Sequence, residues 1–216
     1  MPTRFLSLTG FVLAGGKSRR MGSPKHLLRL GGESLLERQL RVLGRVAGRA
    51  AVLAPPETAR AGEAPAYPDE RSGHGPLGGI YTGLLRTRTE HNLFLGCDLP
   101  FISAEFLRYL SRRALDSRAD VLIPESADGQ LQPLCAVYRR RARGAIRLSL
   151  FLGQNQVTSF FSRVRWERLP FRELARAGFA SPALLTNVNT PEEYDWARRA
   201  LARDVGISAG ATAQGD

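Results

Sequence analysis

Histidine and cysteine are both scarce in this chain, with three of the former and two of the latter in 216 residues. None of His26, His74 and His91 sits beside a serine or cysteine in a recognisable nucleophile elbow such as GxSxG, so covalent acyl or phosphoryl transfer has little support. Cys97 and Cys135 lie in separate apolar runs with no CxxC spacing and no Cys/His cluster, which argues against zinc and for two buried thiols. No run approaches the ~20 apolar residues of a membrane span. Met1 to Thr9 is too short and mixed for the apolar core of a signal peptide, so cytoplasmic residence is the default expectation. There is no internal repeat and no linker that would divide the chain.

Acidic residues are also short. The 31 Lys and Arg against 20 Asp and Glu give a net charge of +11, which suits anionic ligands and brings nucleic acid into consideration. The excess is nearly all arginine, spread in runs such as Arg112-Arg113, Arg139-Arg140-Arg141 and Arg198-Arg199, as a GC-rich coding bias would also produce. A basic RNA-binding module is the non-enzymatic alternative, but zinc-finger spacing and RNP-like aromatic motifs are absent.

What is present is concentrated in residues 11–25, Phe-Val-Leu-Ala-Gly-Gly-Lys-Ser-Arg-Arg-Met-Gly-Ser-Pro-Lys. An apolar run, Phe11 to Ala14, is long enough for a buried strand, and Gly15 and Gly16 then break it. Lys17, Arg19, Arg20 and Lys25 follow. Successive main-chain N–H groups in a glycine turn form an anion cradle, and cations from the same loop would neutralise a polyphosphate. It is not a Walker A loop, because counting back from Gly16-Lys17-Ser18 puts Phe11 where the first glycine belongs, and GxGxxG is absent too. A glycine-rich surface turn with solvated arginines is the alternative reading.

Further along, Ser34 to Leu43 carries Leu36, Leu40 and Leu43 at helical spacing, and residues 50–54 and 92–97 read as buried strands. Residues 76–85 predict a helix opened by Pro76, Ser103 caps another with Phe106, Leu107, Leu110 and Ala114 inward, and residues 120–124 predict a fourth strand. In the second half, residues 132–138 predict a strand, 142–152 a helix, and 183–187 an extended stretch. Thr190-Pro191-Glu192-Glu193 is a capping box opening a last helix, with a disordered tail from Asp204. Strands alternating with helices imply an α/β fold with a mainly parallel central sheet, helices on both faces, in a single domain.

In such a sheet ligands sit beyond the carboxyl ends of the strands. Asp98 follows the third expected strand, where one carboxylate can hold Mg²⁺ together with phosphates and waters; a turn or helix cap is its alternative role. Asp69 follows a short edge strand and could accept hydrogen bonds from a base or ribose, or simply make a turn. Gly75-Pro76-Leu77 opens a helix whose free N–H groups could meet an anion or a base. If the acceptor is a phosphate monoester, its second pKa near ~6 leaves it ionised at neutral pH and no general base is needed. Holding two polyanions in line and neutralising the leaving pyrophosphate is then the task, which a cation-rich, histidine-poor site suits.

The stretch Leu13-Ala-Gly-Gly-x-Ser-x-Arg20-Met-Gly-x-x-Lys25 resembles the N-terminal signature of nucleoside-triphosphate transferases. Gly75-Pro-Leu-Gly-Gly, Cys97-Asp-Leu-Pro-Phe101, Gln132-Pro-Leu and Asn187-Val-Asn-Thr-Pro191 narrow the resemblance to the molybdenum cofactor guanylyltransferases, over about Thr9 to Ala202. The resemblance implies a Rossmann-like three-layer sandwich and transfer of GMP from GTP to Mo-molybdopterin with release of pyrophosphate. It implies a domain over residues 1–203, with a nucleotide half at about 9–124 and a cofactor-substrate half at about 125–203. By motif, Leu13, Ala14, Gly15, Gly16, Asp69, Gly75, Pro76 and Leu77 would meet GTP, with Lys25 and Arg20 on its phosphates and Asp98 on Mg²⁺. Gln132, Pro133, Asn187 and Asn189 would face the molybdopterin. Molybdoenzymes or their chaperones are the implied recipients of the product; neither nucleic acid nor a membrane is. CTP on molybdopterin, or a sugar-1-phosphate acceptor, is the nearest rival, since the first motif is shared. Pro24 stands where the family often has Asp before the loop lysine, and Ala54 where it has a polar residue after the second strand.

Overall fold

The computed structural model describes residues 5–15, 24–55, 58, 64–70 and 73–210, with side chains as far as Ala202. The first strand, β1 (Phe5–Leu13), alternates along its buried part from Leu8 onward: Leu8 and Val12 enter one core cluster, Phe11 and Leu13 the other. That period of two is what a strand buried on both faces requires. A hairpin, β2 (Arg29–Leu30) and β3 (Glu33–Ser34), turns at Gly31 and Gly32, both with positive φ. It leads into α1 (Leu35–Gly44) through a complete Ser34/Glu37 capping box. Then come β4 (Ala47–Leu53), β5 (Ala66–Tyr67), α2 (Gly75–Arg86), β6 (His91–Gly96), α3 (Ala104–Asp116) and β7 (Val121–Pro124). The second half adds β8 (Cys135–Arg139), α4 (Arg143–Phe151), β9 (Trp166–Leu169), α5 (Phe171–Arg176) and α6 (Pro191–Gly210).

Seven strands form one sheet in the order β5-β4-β1-β6-β8-β7-β9. Its β1, β4, β5 and β6 pair in parallel, as do β7 and β9; β8 alone runs against both neighbours. The mainly parallel α/β expectation therefore holds. One cluster packs Leu36 and Leu43 of α1, Phe106 and Leu110 of α3, and Leu174 of α5 on one face. The other packs Leu77, Ile80 and Leu84 of α2 and Ile146 and Leu150 of α4 on the opposite face. This makes three layers. Cys97 and Cys135 are both buried and unbonded to each other, as expected.

Several local expectations are corrected. Gly75, at φ 58°, opens α2, and Pro76 is its second residue, because a left-handed turn precedes the helix. Residues 132–134 form a turn closed by Cys135 N donating to Gln132 O at 2.9 Å, so the strand begins at Cys135. Of the stretch expected to be extended over 183–187, residues 183–185 belong to a 3-10 turn (Pro182–Leu185), since Pro182 presets its first φ and Thr186 N donates to Ala183 O, while Thr186 is extended. The last helix runs on to Gly210, past the tail boundary expected at Asp204; 211–216 lie outside the described residues. His91 is the half-buried first residue of β6.

Packing is tightest where Phe94 stacks on Phe11 at 5.1 Å and meets Tyr138 edge-on at 5.3 Å. A Cβ on Gly83 of α2 would come within 2.7 Å of the Phe94 ring, which is fully buried and cannot swing away. Alanine gains about 1 kcal/mol over glycine within a helix, whereas overpacking costs about 1–3 kcal/mol. Gly83→Ala is therefore expected to lower stability by up to about 2 kcal/mol in denaturant unfolding, and a stabilised variant would show that α2 can lift off the sheet.

Candidate active site

The chain moves outward from β1 to β4 and β5, then returns to place β6 on the other side of β1. That reversal opens a crevice beyond the carboxyl ends of β1 and β6, where open α/β sheets bind ligands. Across it Cys97 N donates to Leu13 O at 3.2 Å and Ala14 N to Leu53 O at 3.0 Å, so both strand ends are pinned before they reach the crevice.

Most of the expected site residues gather here. Leu13 and Ala14 are buried and Gly15 is exposed at the end of β1; Gly16 and Arg20 lie outside the described residues. Leu13 packs into the hollow over Gly79, where a Cβ would lie 2.7 Å from its Cδ2 and 3.6 Å from Asp69 Oδ1. Gly79 therefore lets the end of β1, the carboxylate of Asp69 and the first turns of α2 approach one another. Asp69 is half-buried, and burial holds its carboxyl above the ordinary aspartate range. Gly75 and Pro76 are exposed at the start of α2, while the Leu77 side chain is core, so a ligand could meet Leu77 only through its main chain.

Lys25 opens a 3-10 turn over residues 25–27. Its ammonium donates to Asn189 Oδ1 at 2.6 Å and lies 3.8 Å from Asp98 Oδ2, with both charged side chains 18% exposed. Burial raises the Asp98 pKa, opposed mainly by the charge of Lys25. The second carboxylate oxygen, Oδ1, is buried with no hydrogen-bond partner among the described residues. A Cβ on Gly96 would stand 2.6 Å from that oxygen, so the carboxylate folds back into space only a glycine leaves open. Next to it the Cys97 thiol is pushed up to about 12 by burial and then by the Asp98 charge, which makes it unreactive.

The second half closes the crevice from the other side. Val188 N donates to Asp98 O at 2.8 Å, laying residues 187–189 across the end of β6. Asn187 Nδ2 donates to Gln132 Oε1 at 3.3 Å, and Gln132 Nε2 donates to Ser126 Oγ at 3.2 Å. Pro133 is half-buried in the following turn, where its carbonyl accepts from Tyr138 Oη at 2.7 Å. The four residues expected on the molybdopterin side are thus adjacent in pairs, and one pair reaches Lys25.

Two positioning residues escaped the sequence reading. Gln39 is fully buried on the apolar face of α1 and donates from Nε2 to Leu99 O at 2.7 Å, anchoring the loop that carries Asp98. A glutamine among leucines at helical spacing was the available signal. Glu193 was recognised as a helix cap, but its Oε2 also accepts from Asn189 N at 2.5 Å and so orients the asparagine that holds Lys25.

Residues 10–168 match the MobA-like NTP transferase domain. The chain belongs to that family. A relative from Carboxydothermus hydrogenoformans, named probable molybdenum cofactor guanylyltransferase, is 33% identical over 189 residues, covering 88% of this chain and 94% of that one. A relative of the same name from Bacillus subtilis is 31% identical over 189 residues, covering 85% and 90%. Molybdopterin-guanine dinucleotide biosynthesis protein A from Archaeoglobus fulgidus shares the fold, with a TM-score of 0.80 at 24% identity over 90% of this chain and 99% of that one. This MobA-like transferase has Ala54 only 1% exposed, its N–H donating to Tyr67 O at 3.1 Å, so position 54 offers no polar side chain to the crevice. Pro24 precedes the Lys25 turn at φ −60°, and its carbonyl accepts from Leu27 N at 3.0 Å.

The raised pKa of Asp98 has a stability consequence with a definite sign. A carboxyl whose folded pKa exceeds its unfolded value contributes stability below the unfolded value, about 4, and loses it as pH rises through the folded one. At neutral pH the ionised Asp98 therefore costs stability. Asp98→Asn is expected to melt higher than the parent chain at about pH 7–8 and to lose that advantage toward pH ~4. Equal melting points across the range would show that Lys25 fully offsets the burial.

Proposed function

We propose that the crevice transfers GMP from GTP to Mo-molybdopterin, forming the guanine dinucleotide cofactor and pyrophosphate. The observation that carries this reading is the placement of Lys25 against both Asp98 and Asn189, which joins the end of β6 to the segment before α6. The membership of the family and the names of its relatives agree with guanylyl rather than cytidylyl transfer. Among the described residues no helix is long and apolar enough to cross a membrane.

In the reaction an oxygen of the acceptor's phosphate monoester attacks the α-phosphorus of GTP. A new P–O bond forms, the bond to the α–β bridging oxygen breaks, and the bridging oxygen leaves with its electron pair as pyrophosphate. The acceptor phosphate is largely ionised near neutral pH, so no residue has to remove a proton from it. That fits a crevice with no histidine among the residues that converge on Asp98. Lys25 is placed to neutralise triphosphate charge, and Asn189, fixed by Glu193, keeps its ammonium aimed at the crevice. The first turn of α2 and the main chain after Leu13 supply N–H donors, and Asp69 is the acceptor for the nucleoside. Gln132 and Asn187 hold each other at the edge where the acceptor enters.

The Asp98 carboxylate fits Mg²⁺. It offers a hard oxygen with no partner among the described residues, in space that Gly96 keeps open. The described residues contain no group of three or more metal-ligating side chains, as suits an ion that takes one or two carboxylates and fills its shell with phosphates and waters. Asp98 would hold the ion, which when bound supplies charge neutralisation on the triphosphate.

Pyrophosphate release with GTP, CTP and ATP in the presence of molybdopterin tests the assignment, and turnover with GTP alone is the expected result. Preference for CTP would move the chain to the cytidylyl branch. Lys25→Ala and Asp98→Ala are each expected to lower kcat/KM by about 10²–10³, the size seen when a preorganised charge partner is removed. Parental rates in either variant would place the triphosphate elsewhere.

A further inference from the structure

The arginine run at 139–141 is not dispersed charge in the folded chain. It closes β8 and forms the 3-10 turn that leads into α4. Arg140, Arg141, Arg143 and Arg147 line a cavity of about 420 Å³ between α2 and α4, with Tyr81 and Leu85 on its α2 side. Arg139 pairs with His91, the first residue of β6, whereas Asp98 lies just past the last. Six strand residues, about 20 Å, therefore separate the arginine turn from the catalytic carboxylate.

Three of these four guanidiniums have no carboxylate partner among the described residues. Arg141 is ion-paired with Asp120 and also donates to Arg118 O at 3.2 Å. For Arg140, Arg143 and Arg147 no described carboxylate lies within ion-pair distance. The first turn of α4 has neither a side-chain cap nor an acidic residue, so cations crowd the positive end of a helix dipole. The positive field also reaches His91, whose pKa is lowered by burial and then by Arg139 and Arg141. All four arginines are exposed, so an anion can reach their guanidiniums from solvent.

We propose that this cavity is a second anion site that takes an oligophosphate, either pyrophosphate or the phosphate tail of a nucleotide. Planar guanidinium forks match phosphate oxygens two at a time, which a cluster of lysines would not do. The volume lies within the range of small-ligand pockets, and Leu85 gives it an apolar wall. Tyr81, the aromatic residue in the lining, is 8% exposed and offers no open face for the base stacking that single-stranded RNA uses.

The test is a titration of the arginine-¹⁵N-labelled full-length chain in Mg²⁺-free buffer at constant ionic strength. Sodium pyrophosphate should shift the Nε–H signals of Arg140, Arg143 and Arg147 saturably, and GTP in a parallel titration assigns the source by whichever saturates at lower concentration. Calorimetry should find a pyrophosphate-binding event that weakens about tenfold or more in Arg143→Ala/Arg147→Ala, a variant that keeps parental GTP turnover. Absence of saturation by about 10 mM pyrophosphate overturns the proposal. So does a single-stranded oligoribonucleotide that binds the same arginines more tightly than either, with affinity falling steeply in salt.

Discussion

The main-chain bond from Val188 N to Asp98 O, at 2.8 Å, is the constraint on which the crevice depends. It is made by a residue 90 positions downstream of the carboxylate, and it draws the segment before α6 across the end of β6. Val188 itself is 1% exposed and packs with Leu30, Leu35 and Ala197. With Val188 turned inward, the asparagines on either side reach Gln132 and Lys25. A buried valine thus sets two polar contacts at once. The same small cluster seats the hairpin and α6, so Lys25, the Asp98 carboxylate and the Asn187–Gln132 contact share one packing unit.

Much of this layout was legible in the chain. The β1 pattern, the Ser34 and Ser103 caps, the capping box at Thr190 and the strand end at Asp98 each carry a local signal that the fold does not override. What could not be read was non-local. The antiparallel direction of β8 depends on the turn at 132–134 and on pairing with both β6 and β7, none of which its own five residues encode. The meeting of Lys25 with Asn189 spans 164 positions. Residues 183–185 differ from the extended expectation because an Ala-Leu-Leu run fits a strand or a single tight turn equally well, and only the flanking proline distinguishes them. Gln39 was overlooked because periodicity rewards apolar residues and has nothing to say about a buried amide with a main-chain partner.

The two departures from the family pattern have different weights in the fold. Ala54 is buried under the Tyr67 main chain, and its loss of a polar side chain falls on the nucleotide side of the crevice. Pro24 instead shapes the turn that launches Lys25, since its fixed φ and its carbonyl both serve the 3-10 turn. The first bears on which base is accepted; the second bears on where the ammonium is held. Neither departure touches the contact between Lys25 and Asp98.

The distance between those two charges explains how the site stays usable. A lysine and an aspartate in a poorly solvated crevice attract strongly, and a close ion pair would neutralise both. Such a pair would leave little charge for a metal ion or a triphosphate. Here the ammonium stands 3.8 Å from the nearer carboxylate oxygen and only 2.6 Å from Asn189 Oδ1. The asparagine is itself held through its main chain by Glu193, the carboxylate that caps α6. Asn189 therefore works as a spacer: it gives Lys25 a neutral acceptor and keeps it from collapsing onto Asp98. The price is a carboxylate that remains partly uncompensated and is raised in pKa by its burial. That same desolvation strengthens its hold on a cation when one arrives, so the fold carries a local instability at the place where binding can relieve it.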